Sequence, residues 1–185
     1  MVSFTRRNFL AALATVTATL AAAPAAIAGG DVIGQFSFDS IDGGSIALSD
    51  YAGQPILLAN TASLCAFTPQ YDDLQALWEQ YREAGLVVLA IPSDDFRQEL
   101  GSDGEVRDFC AMNFGLDMPM STITHVRGDD AHPLFDWLER RGVTPTWNFH
   151  KVLIGADGEI LQDWPSAVNP MSRPIRSAVE AALAG

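Results

Sequence analysis

The run Leu86-Val87-Val88-Leu89-Ala90-Ile91 is continuously apolar and of strand length, and a strand without polar alternation must be covered on both faces. It belongs at the centre of a sheet with a layer on either side. A second apolar run, Ile56-Leu57-Leu58-Ala59, precedes it, and between them Leu74, Leu77, Trp78 and Tyr81 recur at amphipathic helical spacing until Gly85. Strands alternating with helices predict an α/β fold, a central mixed sheet flanked by helices.

The remaining elements extend that alternation. Phe36 and Phe38, then Ile46 and Leu48, alternate with polar neighbours around the turn Asp42-Gly43-Gly44, which predicts an N-terminal β-hairpin. Ser102 with Glu105 three residues later is a capping box; the helix it opens carries Val106, Phe109, Cys110 and Asn113 on one face and stops at Gly115, leaving Cys110 half-buried. A further helix is expected from about Asp130 to Arg141, with Pro133 tolerated in its first turn. Trp147 to Ile154 and Glu159 to Trp164 flank Asp157-Gly158 as a hairpin. A last helix, opened by Asn169 or Ser172, turns Ile175, Ala178, Val179, Ala182 and Leu183 inward.

The N-terminus carries a different kind of signal. Thr5-Arg6-Arg7-Asn8-Phe9-Leu10 is a twin-arginine pattern, followed by an uncharged Ala-, Leu- and Val-rich stretch and by the small-residue site Ala26-Ile27-Ala28. Residues 1–28 are expected to be an export signal that is removed, because so Ala-rich a segment is too weakly apolar for a lasting membrane anchor. The mature chain, residues 29–185, is then a single domain in the periplasm. The formal net charge is −12, and losing Arg6 and Arg7 with the signal makes it −14. Such acidity argues against nucleic acid and anionic membrane surfaces as partners.

Chemistry is expected at Cys65. It stands in Asn60-Thr61-Ala62-Ser63-Leu64-Cys65-Ala66-Phe67-Thr68-Pro69-Gln70-Tyr71, where an apolar strand stops and a helix starts, with Thr68 as the expected N-cap and Pro69 at the first helical position. Backbone N–H groups and the positive end of the helix dipole then face the sulfur, a setting that makes thiols reactive. The alternative is an inert buried cysteine. Only one other cysteine is present, Cys110, and there is no CxxC dithiol. His125, His132 and His150 are scattered without ligand spacing, so no metal is assigned, and no cofactor either.

Together the segments Asn60 to Tyr71, Phe96-Arg97-Gln98-Glu99-Leu100-Gly101-Ser102, Gly128-Asp129-Asp130-Ala131-His132-Pro133-Leu134 and Trp147-Asn148-Phe149 resemble the glutathione peroxidase family, in that family's order. The resemblance implies a thioredoxin-like fold and a role in the response to oxidative stress. It places Cys65 at the peroxidatic cysteine or selenocysteine, Gln98 at the active-site glutamine, and Trp147 and Asn148 at the neighbouring indole and amide. Cys110 matches the resolving cysteine of the thioredoxin-dependent branch. The chemistry is coherent: a thiolate attacks a peroxide oxygen, neutral N–H donors stabilise the charge, and the resulting sulfenic acid condenses with a second thiol. A thioredoxin-like dithiol suits that second thiol and the acidic chain better than anionic glutathione does.

The family pattern is not matched everywhere. Family members commonly read N-Q-F-G-x-Q-E, whereas Asp94-Asp95-Phe96-Arg97-Gln98-Glu99 puts two acids in place of the amides and has one residue fewer before the glutamine, which leaves two outcomes open, Gln98 kept in the site or displaced from it. Ala66 replaces the usual glycine, and Ser93 stands where many relatives have an additional cysteine. The short segment Arg141 to Thr146 lacks the insertion that supports tetramers, so a monomer or weak dimer is expected. A peroxiredoxin is disfavoured because Ala62 stands where that family's P-x-x-x-T-x-x-C needs Thr. Two non-enzymatic alternatives stand beside the peroxidase: a redox sensor or interaction protein that oxidises slowly, and a protein whose cysteines form a permanent structural disulfide.

Overall fold

A computed structural model describes Met1 and residues 30–185; the twin-arginine segment and its cleavage site lie outside the described residues. In chain order the first elements are helix α1 (Gly30–Ile33), strands β1 (Ser37–Asp39), β2 (Ser45–Ala47) and β3 (Ile56–Thr61), helix α2 (Gln70–Tyr81) and strand β4 (Val87–Pro92). Helices α3 (Asp103–Phe114) and α4 (Pro133–Glu139), strands β5 (Lys151–Ile154) and β6 (Ile160–Trp164) and helix α5 (Arg173–Ala184) complete it.

The two apolar runs lie side by side at the heart of the sheet, whose order is β4-β3-β5-β6. β3 pairs β4 in parallel, Leu57 opposite Val88, and β5 antiparallel, Leu57 opposite Leu153; β5 and β6 close the expected hairpin. Because side chains alternate across a strand, the absence of polar alternation is explained by two cores. Leu57, Ala59, Val88, Ala90 and Leu153 pack on one face with residues of α2, α3 and α5. Ile56, Leu58, Val87, Leu89, Ile91, Val152 and Ile154 pack on the other with α4 and the β1–β2 hairpin.

Four local expectations are revised. Cys110 is 2% exposed rather than half-buried, because Val106 and Cys110 point together into the first core beside Tyr71, Met118 and Met120. Asn113 leaves that face for solvent, its Nδ2 donating to the Phe109 carbonyl one turn back at 2.8 Å. The helix expected from Asp130 starts only at Pro133, since a residue before proline is held extended: His132 has ψ 140° and caps the helix, its Nδ1 accepting from Leu134 N–H. β5 begins at Lys151, so Trp147 to His150 form the loop leading into it.

β5 also buries a charge. Lys151 is 0% exposed, and its Nζ donates to Gln70 Oε1 at 2.9 Å and to the Ser166 carbonyl at 3.3 Å. Burial pushes this ammonium down from 10.5 to about 8. Between those two values the unfolded chain binds more protons than the folded one, so stability rises with pH there. Relative to Lys151→Met, the wild type is expected to gain about 3 kcal/mol across that window, read by urea unfolding at stepped pH. A parallel pH dependence in the two proteins would show that Lys151 carries no such shift.

Candidate active site

β3 delivers the site at its C-terminal end. After Thr61 the chain makes the turn Ala62–Pro69 before α2 starts at Gln70, one residue later than expected. Thr68 does not cap that helix. Its hydroxyl is used inside the turn, accepting from Cys65 N–H at 3.0 Å and donating to the Ala62 carbonyl at 2.9 Å, which clamps the backbone of Cys65. The Cys65 thiol is 6% exposed, and Phe67 N–H donates to Sγ at 3.4 Å. A backbone donor therefore faces the sulfur where the sequence placed one.

The loop after β4 docks on this turn. Leu64 N–H donates to the Gln98 carbonyl at 2.9 Å, and Ser63 N–H to Glu99 Oε1 at 3.0 Å, so residues 98–99 run against residues 63–64. The shortened loop keeps Gln98 beside the cysteine turn. It does so with Arg97 at φ 57°, the left-handed region, in the position of the family's glycine. A side chain there costs roughly 1–2 kcal/mol. After the entropy cost of glycine, Arg97→Gly is expected to stabilise the fold by about 0.5–1 kcal/mol, measured as a higher urea midpoint at unchanged slope.

The two acids of that loop are consumed by backbone. Asp94 Oδ1 accepts from Glu99 N–H at 3.1 Å. Asp95 Oδ2 accepts from Val126 N–H at 2.6 Å and Arg127 N–H at 3.2 Å, while Oδ1 lies 2.7 Å from His125 Nδ1 and raises that imidazole's pKa. They act as pins for the Gln98 loop.

The third piece is the loop before β5. Asn60, at the end of β3, holds it at three points: Nδ2 donates to the Trp147 carbonyl at 3.2 Å, its carbonyl accepts from Phe149 N–H at 2.6 Å, and its N–H donates to the His150 carbonyl at 3.3 Å. Asn148, fully buried, then donates from Nδ2 to Gln98 Oε1 at 3.0 Å. Trp147 is 41% exposed and its ring packs against Phe96 with centroids 5.3 Å apart. Gln98, Trp147 and Asn148 are thus brought together on two loops, one of them tied to the backbone beside Cys65.

Cys110 is not part of that group. It lies on the interior side, a free thiol like Cys65, in the same core cluster as Tyr71. Burial pushes it up to about 11, against the lowering effect of Tyr71. Two contributors carried no sequence signal of their own. Asn60 is a polar residue ending a buried strand, and Glu99 is a buried carboxyl whose pKa burial raises. Both stood inside the quoted motifs, and only Asn60, directly after the apolar run Ile56-Leu57-Leu58-Ala59, was a polar side chain in an apolar setting.

A clamped thiol facing a backbone N–H, with an amide pair and an indole on adjacent loops, is equipped for nucleophilic attack with neutral donors. A glutathione peroxidase family model matches residues 33–139. The glutathione peroxidase of Lactococcus lactis subsp. cremoris is 37% identical over 141 residues, covering 73% of this chain and 90% of that protein. The hydroperoxy fatty acid reductase gpx1 of Synechocystis is 36% identical over 147 residues, covering 73% and 87%. Among solved structures, T. cruzi GPX1 superposes with a TM-score of 0.65 at 26% identity, covering 83% of this chain and 97% of that one. Its thioredoxin-like architecture is the one described above. The chain belongs to the glutathione peroxidase family and is a thiol peroxidase, an oxidoreductase acting on peroxide.

Proposed function

We propose that Cys65 is the peroxidatic residue and that Cys110 resolves it. The Cys65 thiolate attacks one oxygen of a hydroperoxide; an S–O bond forms, the O–O bond breaks, and the departing oxygen takes up a proton to leave as water or an alcohol. Asn148 holds the oxygen of the Gln98 amide, which leaves the Gln98 Nε2 hydrogens free to donate towards the charge developing at the sulfur and peroxide. That amide pair, tied to Leu64 beside Cys65, is the observation that carries the assignment. The Cys110 thiol then condenses with the sulfenic acid, forming the disulfide and releasing water.

The substrate reading is hydrogen peroxide or an organic hydroperoxide. Leu64 is 60% exposed next to Cys65, and with the exposed Trp147 it supplies an apolar rim suited to an organic chain. The reductant reading is a thioredoxin-like dithiol, which needs only a disulfide to attack and no binding site for an anionic tripeptide. Export by the twin-arginine route to the periplasm, as one domain acting as a monomer or weak dimer, completes the proposal. It is tested by steady-state peroxide reduction with glutathione and with a thioredoxin system side by side. Faster turnover with glutathione would overturn the reductant assignment, and one slow oxidation with neither reductant sustaining turnover would favour a redox sensor.

A further inference from the structure

Lys151 breaks two rules of stability at once. Its side chain is 0% exposed, and among the described residues it forms no ion pair; the ammonium is held by two neutral oxygens, Gln70 Oε1 at 2.9 Å and the Ser166 carbonyl at 3.3 Å. A buried charge without a counter-charge is costly. Gln70 is also the first residue of α2, so the cation stands at the positive end of a 12-residue helix, where the macrodipole favours an anion. An apolar side chain of similar length would suit that place better. Departures of this kind collect at functional sites.

Hydrogen bonds lead from Lys151 to the Cys65 sulfur. The Gln70 amide is gripped at both ends, Oε1 by Lys151 and Nε2 by the Ser166 carbonyl at 2.7 Å, which fixes the first residue of α2 against β5 and the loop after β6. The Gln70 backbone N–H then donates to the Phe67 carbonyl at 2.8 Å, and Phe67 N–H donates to Cys65 Sγ at 3.4 Å. Lys151 also stands opposite Ala59 in the β3–β5 pair, on the sheet face whose core contains Cys65.

We infer that Lys151 is a positioning residue for the peroxidatic step, holding the Gln70 amide so that the Phe67 N–H stays on the Cys65 sulfur and placing a positive charge at the end of α2 that follows the Cys65 turn. The inference rests on the assignment of Cys65 as the peroxidatic residue. Lys151 forms no bond with the peroxide; it favours the thiolate form from which the attack starts, and that thiolate supplies the negative charge the buried ammonium lacks. The elements packed against Lys151 offer Ala59 of β3, Gln70 of α2, Trp164 of β6 and the Ser166 carbonyl, none of them ionisable. Its ionisable neighbour in sequence, His150, is engaged elsewhere, with Nε2 3.0 Å from Asp163 Oδ2. The ammonium therefore remains charged below about 8.

Lys151→Met removes the charge and the grip on Gln70 while keeping an unbranched side chain. Full-length protein is alkylated with iodoacetamide across pH, with modification of Cys65 read by peptide mapping, and Cys65 oxidation by one equivalent of hydrogen peroxide is timed in parallel. The midpoint of the Cys65 alkylation profile is expected to move up by about one pH unit, and oxidation below that midpoint to slow about tenfold, the matching loss of thiolate. Gln70→Met, which leaves the lysine in place but cuts the bridge to it, is expected to move the midpoint in the same direction and supplies the answer if Lys151→Met does not fold. The double variant is expected to shift no further than Lys151→Met alone, since both act through one contact. An unmoved midpoint in either single variant overturns the inference. Slower oxidation with an unmoved midpoint overturns it too, because that reports a damaged turn. In both cases wild-type Cys65 still reacts with peroxide; if it does not, the peroxidatic assignment fails and takes this inference with it.

Discussion

Cys65→Ser is expected to reduce peroxide consumption to the uncatalysed background with every reductant, because a serine hydroxyl in that turn is not ionised and has no adjacent base to activate it. Cys110→Ser is expected to behave differently. It keeps the first oxidation, since the amide pair of Gln98 and Asn148 is held without it, but it stops after one turnover with a thioredoxin-like donor. The sulfenic acid then persists on Cys65, is trapped by dimedone, and is driven to sulfinic acid by excess peroxide. Full thioredoxin-driven turnover by Cys110→Ser would remove it from the mechanism. The same burial sets a conformational demand. Disulfide formation needs Cα atoms about 4.4–6.8 Å apart, and Cys110 is packed inside α3 against Tyr71, so oxidation is expected to loosen Asp103–Phe114 and speed amide exchange there.

Gln98→Ala is expected to lower the rate constant for Cys65 oxidation by something like 10²- to 10³-fold, the cost of losing one preorganised donor. Asn148→Ala should cost a comparable amount by a different route, since its Nδ2 holds the Gln98 oxygen and without it the glutamine loses its fixed orientation. Because the two side chains act as one hydrogen-bonded unit, the double variant is expected to fall well short of the product of the single losses. Trp147→Phe keeps the packing on Phe96 but loses the indole N–H, which separates donor from filler. Stopped-flow oxidation of these variants decides the matter. No loss in Gln98→Ala would exclude it from the site, and no loss in any of them would sink the assignment of the whole group.

The layered α/β core was legible because its signals are local. Leu86 to Ile91 could only be a doubly covered strand, and the Ser102–Glu105 box and the turn at Gly43-Gly44 act within a few residues. Cys65 was legible for the same reason, as a thiol between a strand and a helix. What escaped depended on partners distant in sequence. Thr68 looked like a helix cap, but its hydroxyl found the backbone of Ala62 and Cys65 first. Asp94 and Asp95 stood out only as acids in place of amides, and their use as acceptors for the backbone N–H groups of Glu99, Val126 and Arg127 was not visible in the sequence. Cys110 was read as half-buried from its own helix, and only the side chains of α2 and the Met118–Met120 segment bury it fully. The backbone of Gln98 bonds to Leu64 beside Cys65, next to an Arg97 in a left-handed conformation that no pattern of residue types announces.

The central claim is a two-cysteine relay, and peptide mapping of the wild type after one equivalent of hydrogen peroxide tests it most directly. The account predicts near-complete conversion to a Cys65–Cys110 disulfide within a single turnover, reversed by a thioredoxin-like dithiol. Cys65 accumulating as sulfenic or sulfinic acid, with Cys110 still a free thiol, would contradict it.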